Sequence, residues 1–458
     1  MSIKRKRRGI SFGTIFMLSL CVVTLLFGAL VFTRIAGDTA RISLDPNLLT
    51  ESLRVLARSV TDVITESGTP FPVNEAPTPA VTRQIAAPPS TAAPTAALTA
   101  APAPTQPPSR TLTLTAAGQV SIGTELRSSA SKAAGGFDFY DMVSPVAHAL
   151  SGANLSIVTL RTGLAGANAT GFDTYCAPAW LVDGLKASGL NLFNFATDRV
   201  LDHGVRGIGD TRSVMDSKNT YFAGIYRTQE ERSRPAVVDM GGVKVGLLAY
   251  TSSLSAAGKK AATEQEAALY TRYLSAQAAA AEITALRVNG ADVVIVLPCW
   301  GGRADTKPSK ETRAEADVLI EAGADIILGT GPTSVHELER RAVTDAYGEV
   351  REVFIAYSLG NFLIDDSRDT ANILGMILSL DITWDTQTRK TSIGEAWYMP
   401  TWIMRWRDAS GVNRYRVIPA GVSTIPEGMT ESIYINMKKA YQNMVERLGK
   451  EAARARGE

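Results

Sequence analysis

An uncharged, mostly apolar run spans Ile10 to Phe32. At 1.5 Å rise per residue it predicts a helix of about 35 Å, enough to cross a hydrocarbon core of about 30 Å. Lys4, Arg5, Lys6, Arg7 and Arg8 stand just ahead of it. The positive-inside rule places that block in the cytoplasm and everything past the run outside. A cleaved signal peptide has a shorter apolar core of about 7–15 residues and small residues before the cut. Here the run is longer, and Arg34 occupies the place of a small residue. The pattern therefore predicts a cytoplasmic tail over 1–9 and an uncleaved, single-pass membrane anchor over 10–33. A juxtamembrane helical segment follows over 34–68, where Leu49, Leu53, Leu56, Val60 and Val63 recur at helical spacing. That seam could pack on a second copy of the chain and make a homodimer.

From 69 to 110 the pattern disappears. Eleven of the chain's 21 prolines fall between Pro70 and Pro108, mixed with Ala and Thr. Such a stretch has too little apolar surface to offset the entropy of ordering. It predicts an extended linker with a reach of at most about 130 Å.

Globular patterning begins at Thr111. Apolar runs at Leu112–Ala116, Leu155–Leu160, Leu190–Phe195, Val243–Tyr250, Val293–Leu297, Ile326–Leu328 and Val353–Tyr357 read as strands. Helical stretches at Ala177–Ser188, Ile208–Lys218, Ser275–Val288 and Glu311–Ala322 alternate with them. Strand alternating with helix predicts an α/β domain over 111–385. The charges of Glu311–Ala322 read as an exposed face. A β-rich tail over 386–458 carries strands near Trp397–Trp406 and Tyr415–Ile418. A closing helix from about Thr430 would dock through Met437, Tyr441, Met444, Val445 and Leu448.

Composition narrows the function classes. The formal net charge is only +2, so the chain as a whole has no bias towards nucleic acid, and none is expected as a partner. The three cysteines include no C-x-x-C pair, which excludes a zinc ribbon. Cys176 and Cys299 fall on the outer side of the membrane, where a disulfide could persist; free buried thiols are the equal alternative.

In open α/β sheets functional groups gather on loops past strand C-termini. Those loops carry Gly118-Gln119, Thr159-Leu160-Arg161, Asn194 through Gly204, Cys299-Trp300-Gly301, Gly329 through Thr333 and Tyr357-Ser358-Leu359-Gly360-Asn361-Phe362. Their order from Leu112 to Asp381 resembles the bacterial capsule-synthesis CapA family, associated with poly-γ-glutamate. The six-residue string ending at Phe362 carries most of the resemblance, supported by Leu201-Asp202-His203-Gly204 and Ala322-Gly323-Ala324-Asp325. Met399-Pro400-Thr401-Trp402 and Tyr415 to Pro419 look like segments of longer members. The resemblance implies a calcineurin-like metallophosphatase-type fold, a β-sandwich flanked by helices, with metal ligands on these loops.

This sequence departs from that pattern loop by loop. Gln119 stands where the family has Asp, and Arg161 where it has Glu. Asp198-Arg199 replaces Asn-His, Cys299 replaces the His of His-Trp-Gly, and Gly331-Pro332-Thr333 replaces His-Pro-His. A guanidinium cannot ligate a metal. No metal or cofactor is expected, and the protein leans towards a non-catalytic role. Two readings of Arg161 and Arg199 stay open. They could form an anion site for an envelope polymer, or they could pair with Asp198 and Asp202 in a packed cleft. Cys299 reads as structural rather than nucleophilic. Trp300 reads as a cleft wall or a substrate platform, and Asn361 as a turn residue or a contact. An altered hydrolase or transferase, and a scaffold for envelope enzymes, are the rival functions.

Overall fold

The computed structural model describes residues 109–457, apart from 166–174, 302–304, 345–347, 349 and 366–368. The expected tail, anchor, juxtamembrane helix and nearly all of the linker lie outside the described residues. Among the described residues no helix is long and apolar enough to cross a membrane.

The strands, in chain order, are β1 (Ser109–Ser121), β2 (Leu155–Leu160), β3 (Gly163–Ala165), β4 (Cys176–Pro178), β5 (Leu192–Asn194), β6 (Tyr221–Ala223), β7 (Val237–Met240) and β8 (Val243–Thr251). There follow β9 (Val293–Cys299), β10 (Ile326–Leu328), β11 (Leu338–Thr344), β12 (Val350–Ala356), β13 (Asn361–Ile364), β14 (Leu374–Asp385), β15 (Thr391–Arg407), β16 (Asn413–Pro419) and β17 (Arg454–Ala455). The longer helices are α1 (Trp180–Ala187), α2 (Gly204–Ser217), α3 (Ala276–Val288), α4 (Lys310–Glu321) and α5 (Glu431–Leu448).

One sheet runs β16-β15-β14-β1-β2-β5-β6, with β13 on β1 and β17 on β15; the other runs β11-β12-β10-β9-β8-β7. β1, β2, β5 and β6 are parallel neighbours, as are β8, β9, β10 and β12. Alternation along the strands explains the layering, because successive side chains point to opposite faces. Val293, Ile295 and Leu297 of β9 join Leu112, Leu114, Ile157 and Leu378 of the first sheet in one core. Val294 and Val296 face the other way and pack with Ile283 and Leu286 of α3 and Leu319 and Ile320 of α4. Across the first sheet, Val158 and Phe193 pack outward against Leu181 and Leu185 of α1. Two sheets therefore share one core, and helices cover both outer faces.

Three details differ from the expectations. The first strand starts at Ser109, because Ser109 and Arg110 already pair with Asp385 and Trp384. The tail is continuous with the domain: β14, β15 and β16 extend the first sheet by antiparallel pairing. The α4 face is not wholly exposed, since Glu315 is half-buried beside buried Ala316.

Gly118 shows why β1 sits so close to β13. A Cβ built there would lie 2.4 Å from Gly360 O. Side-chain insertion at so tight a contact forces the backbone apart. Gly118→Ala is expected to cost about 1–3 kcal/mol in urea unfolding, with an unchanged denaturant slope.

Candidate functional site

Parallel strands deliver their C-terminal loops to one edge, and there the two sheets are laced together. Gln119, 1% exposed, closes β1. Its Nε2 donates to Pro332 O at 2.9 Å, and its Oε1 accepts from Gly331 N at 3.3 Å. Its own backbone N–H donates to Gly360 O at 3.0 Å. The Gln119 amide is thus spent on the backbone of the opposite sheet's loop.

Arg161 follows β2. Its Nε and Nη2 each donate to one carboxylate oxygen of Asp198, both at 2.6 Å. Fork-to-fork pairs of this kind are the strongest charge-assisted hydrogen bonds available to these groups. Burial opposes the charge on Arg161, but the hydrogen bond and charge of Asp198 outweigh it and hold the guanidinium pKa above its ordinary value. Arg199 Nη1 donates to Asp202 at 2.8 Å, and its guanidinium carbon lies 3.8 Å from the centre of the Tyr175 ring. The Ser255 hydroxyl donates to the other oxygen of Asp202. Each arginine is paired with an aspartate, the arrangement of the packed-cleft reading, while Arg199 Nε is buried without a hydrogen-bond partner.

Cys299 ends β9 and is wholly buried. Burial, then the Asp198 charge, push its thiol pKa up, and the N–H groups of Gly301 and Asp198 and the Thr251 hydroxyl only partly oppose this. A thiol so placed is a poor nucleophile. No disulfide joins it to Cys176, which is half-buried. Trp300 is a wall rather than a platform. Its Nε1 donates to Tyr357 O at 2.9 Å, and a Cβ on Gly329 would come within 2.1 Å of that nitrogen. Asn361 opens β13 directly after Gly360 at φ 70°, and its Nδ2 donates to Asn372 O at 2.9 Å. Thr333 Oγ1 is buried without a hydrogen-bond partner.

The donors present do not fit a two-metal centre. Both Asp198 oxygens hold a guanidinium, the Gln119 amide is engaged, and burial disfavours the Cys299 thiolate. Among the described residues no group of three or more His, Cys, Asp or Glu could hold a metal ion. His336 lies past β10 but is structural: it is buried, and its Nε2 donates to Asp305 O at 2.7 Å. Burial keeps its imidazole pKa below the usual value.

Arg161, Asp198 and Cys299 stand together, and Gln119 reaches the loop at Gly331 and Pro332; which cation pairs with which carboxylate was not to be read from the sequence. It missed Tyr175 under Arg199, Ser255 on Asp202, and Ser358, whose hydroxyl donates to Pro332 O at 3.2 Å. Ser358 stood inside the string that carries the resemblance, and its role could have been suspected from that.

The family model described as "Bacterial capsule synthesis protein PGA_cap" matches residues 113–366, more than half of the chain. The chain belongs to this family. Among its relatives, "Capsule biosynthesis protein CapA" of Bacillus anthracis is 30% identical over 186 residues, covering 40% of this chain and 42% of that one. "PGA biosynthesis protein CapA" of Bacillus subtilis is 29% identical over 196 residues, covering 41% and 47%. The alignments thus span under half the length of each relative. A solved phosphatase structure from Mycoplasma pneumoniae is similar at 13% identity and TM-score 0.36, covering 64% of this chain and 94% of that one. A likeness that low carries no argument about chemistry.

For this PGA_cap chain the Arg161–Asp198 pair is a stability element. Its side chains are 18% and 11% exposed. Arg161→Ala leaves a nearly buried carboxylate and is expected to cost about 3 kcal/mol in chemical unfolding, while Arg161→Met combined with Asp198→Leu costs less than about 1 kcal/mol. The double-mutant cycle measures that difference directly.

Proposed function

We propose that this chain is a membrane-anchored, extracytoplasmic member of the CapA type. It acts in biosynthesis or export of an anionic envelope polymer of the poly-γ-glutamate type, without turnover at the Arg161–Asp198 cleft. The anchor reading rests on the Ile10–Phe32 run and the basic block before it. The polymer reading rests on the family and on the printed functions of the two Bacillus relatives. The two-sheet, helix-flanked architecture agrees with a calcineurin-like scaffold whose metal loops have been refilled.

The bidentate Arg161–Asp198 bond carries the non-catalytic part of the reading. A hydrolytic site needs an activated nucleophile or a metal-bound water, with groups free to move protons. Here the carboxylate is neutralised, the amide is committed and the thiol is held protonated. The cleft instead behaves as a brace that fixes the two sheets and the surfaces they present. Its partner, an envelope polymer or an envelope protein, would be met by those surfaces and not by a cationic fork inside.

The test is made in cells that produce the polymer. With Cys299→Ser in the intact protein, surface polymer is expected to stay at the parental level. Exchanging residues 10–33 for a cleavable leader is expected to reduce it. A normally folded Cys299→Ser protein that abolishes the polymer would show that the cleft performs chemistry.

A further inference from the structure

β6 and β7 are edge strands of the two sheets, and residues 224–236 cross from one to the other. Behind that crossover the shared core is not filled, and a cavity of about 310 Å³ opens. Leu155 and Leu192 line it from the first sheet, and Val245 and Leu247 line it from the second; all four belong to the core between the sheets. The volume stands at the lower end of the about 300–1,000 Å³ of small-molecule pockets. It suits one alkyl chain rather than a lipid with two.

Arg272 gives this apolar chamber a built-in charge. It lines the cavity and is 5% exposed. Its Nε donates to Glu282, and its Nη2 donates to Arg232 O at 3.0 Å. Its guanidinium carbon lies 4.7 Å from the centre of the Tyr226 ring, another wall of the cavity. Nη1 makes no hydrogen bond, yet it is not among the side-chain atoms closed off from solvent. A planar guanidinium held at Nε, at Nη2 and over one face thus keeps one donor in a fixed place and open. The charge around it is not balanced either. Arg272 and Arg232 share the single carboxylate of Glu282. Glu231 also lines the cavity, but its two oxygens accept from Arg212 Nη1 and Nη2 at 3.0 and 3.4 Å. Arg234 pairs with Glu230, and Asp216 joins Arg212 to Arg227. Over these pairs five arginines meet four carboxylates.

We propose that this cavity binds a single-chain alkyl carboxylate, the chemistry of a fatty acid of medium length. The carboxylate accepts from Arg272 Nη1 and meets the unmatched positive charge. The chain runs between Leu155, Leu192, Val245 and Leu247 and replaces an unfilled space with apolar contacts. An alkylammonium of the same length meets the arginine with like charge. An alcohol fills the gap but offers Nη1 no charged acceptor.

The site shares no residue with the Arg161–Asp198 cleft and does not depend on the polymer reading. Octanoate, 1-octanol and octylammonium are titrated separately into the intact purified protein at neutral pH and low salt, with binding followed by ligand-observed NMR. Saturable octanoate binding is expected, with octanol and octylammonium at least about tenfold weaker. Arg272→Gln, which leaves Glu282 to Arg232, is expected to weaken octanoate about tenfold and to leave octanol unchanged. Leu247→Phe, which fills the gap, is expected to weaken octanoate and octanol together. Thermal melts identify any variant that fails to fold, in which case the other variant and the contrast among the three probes decide. No saturable octanoate binding, equal binding of octanoate and octanol, or an octanoate affinity unchanged in a folded variant overturns the proposal and leaves an unfilled gap in the core.

Discussion

Two oxygens and two nitrogens, each pair 2.6 Å apart, govern what the loop edge of this domain can do. Arg161 arrives on β2, and Asp198 arrives on the loop after β5. Neither could sit at this depth alone, because an unpaired charge in a half-dry environment costs several kcal/mol. Once they meet, the neighbours are constrained too. Cys299 lies beside a carboxylate and stays a thiol. Gln119 spans to the opposite loop at Gly331 and Pro332. Arg199, kept from Asp198, takes Asp202 and lies over Tyr175. The charged groups of the cleft are paired with one another, while Arg199 Nε and the Thr197 and Thr333 hydroxyls stay buried without hydrogen-bond partners.

Much of the scaffold could be read from local pattern. Six of the seven apolar runs contain or lie within a strand, Val353–Tyr357 overlaps β12, and the four helical stretches coincide with α1 to α4 within a few residues. Ser275 and Ser309 cap α3 and α4 by accepting from Ala278 N and Thr312 N, a signal that sits in the chain itself. The pairing of β1 with β14 was not legible. Those strands are separated by most of the domain, and period-2 alternation reports which face is buried, not which strand lies alongside. The polar edges of β15 hid its length for the same reason: its ends are paired, but exposed residues interrupt their burial.

The site was legible as a set and not as a network. Loop positions and residue types brought Gln119, Arg161, Asp198 and Cys299 forward, and their chemistry argued against metal ligation. Whether two arginines face an open pocket or two aspartates is a matter of rotamers and burial, which a sequence does not carry. Glu315 shows the opposite failure. On a helix rich in charge it looked like solvated surface, yet its place one turn from the buried Leu319 turns it inward.

In this family member Arg161 and Asp198 form an internal ion pair at the loop edge of the two-sheet scaffold, and we propose that this pair leaves no metal centre there. Metal titration of the intact purified protein tests that most directly, with manganese, iron and zinc followed by elemental analysis after gel filtration. The account predicts sub-stoichiometric metal that is unchanged by Asp198→Ala. Near-stoichiometric metal that is lost in Asp198→Ala would contradict it.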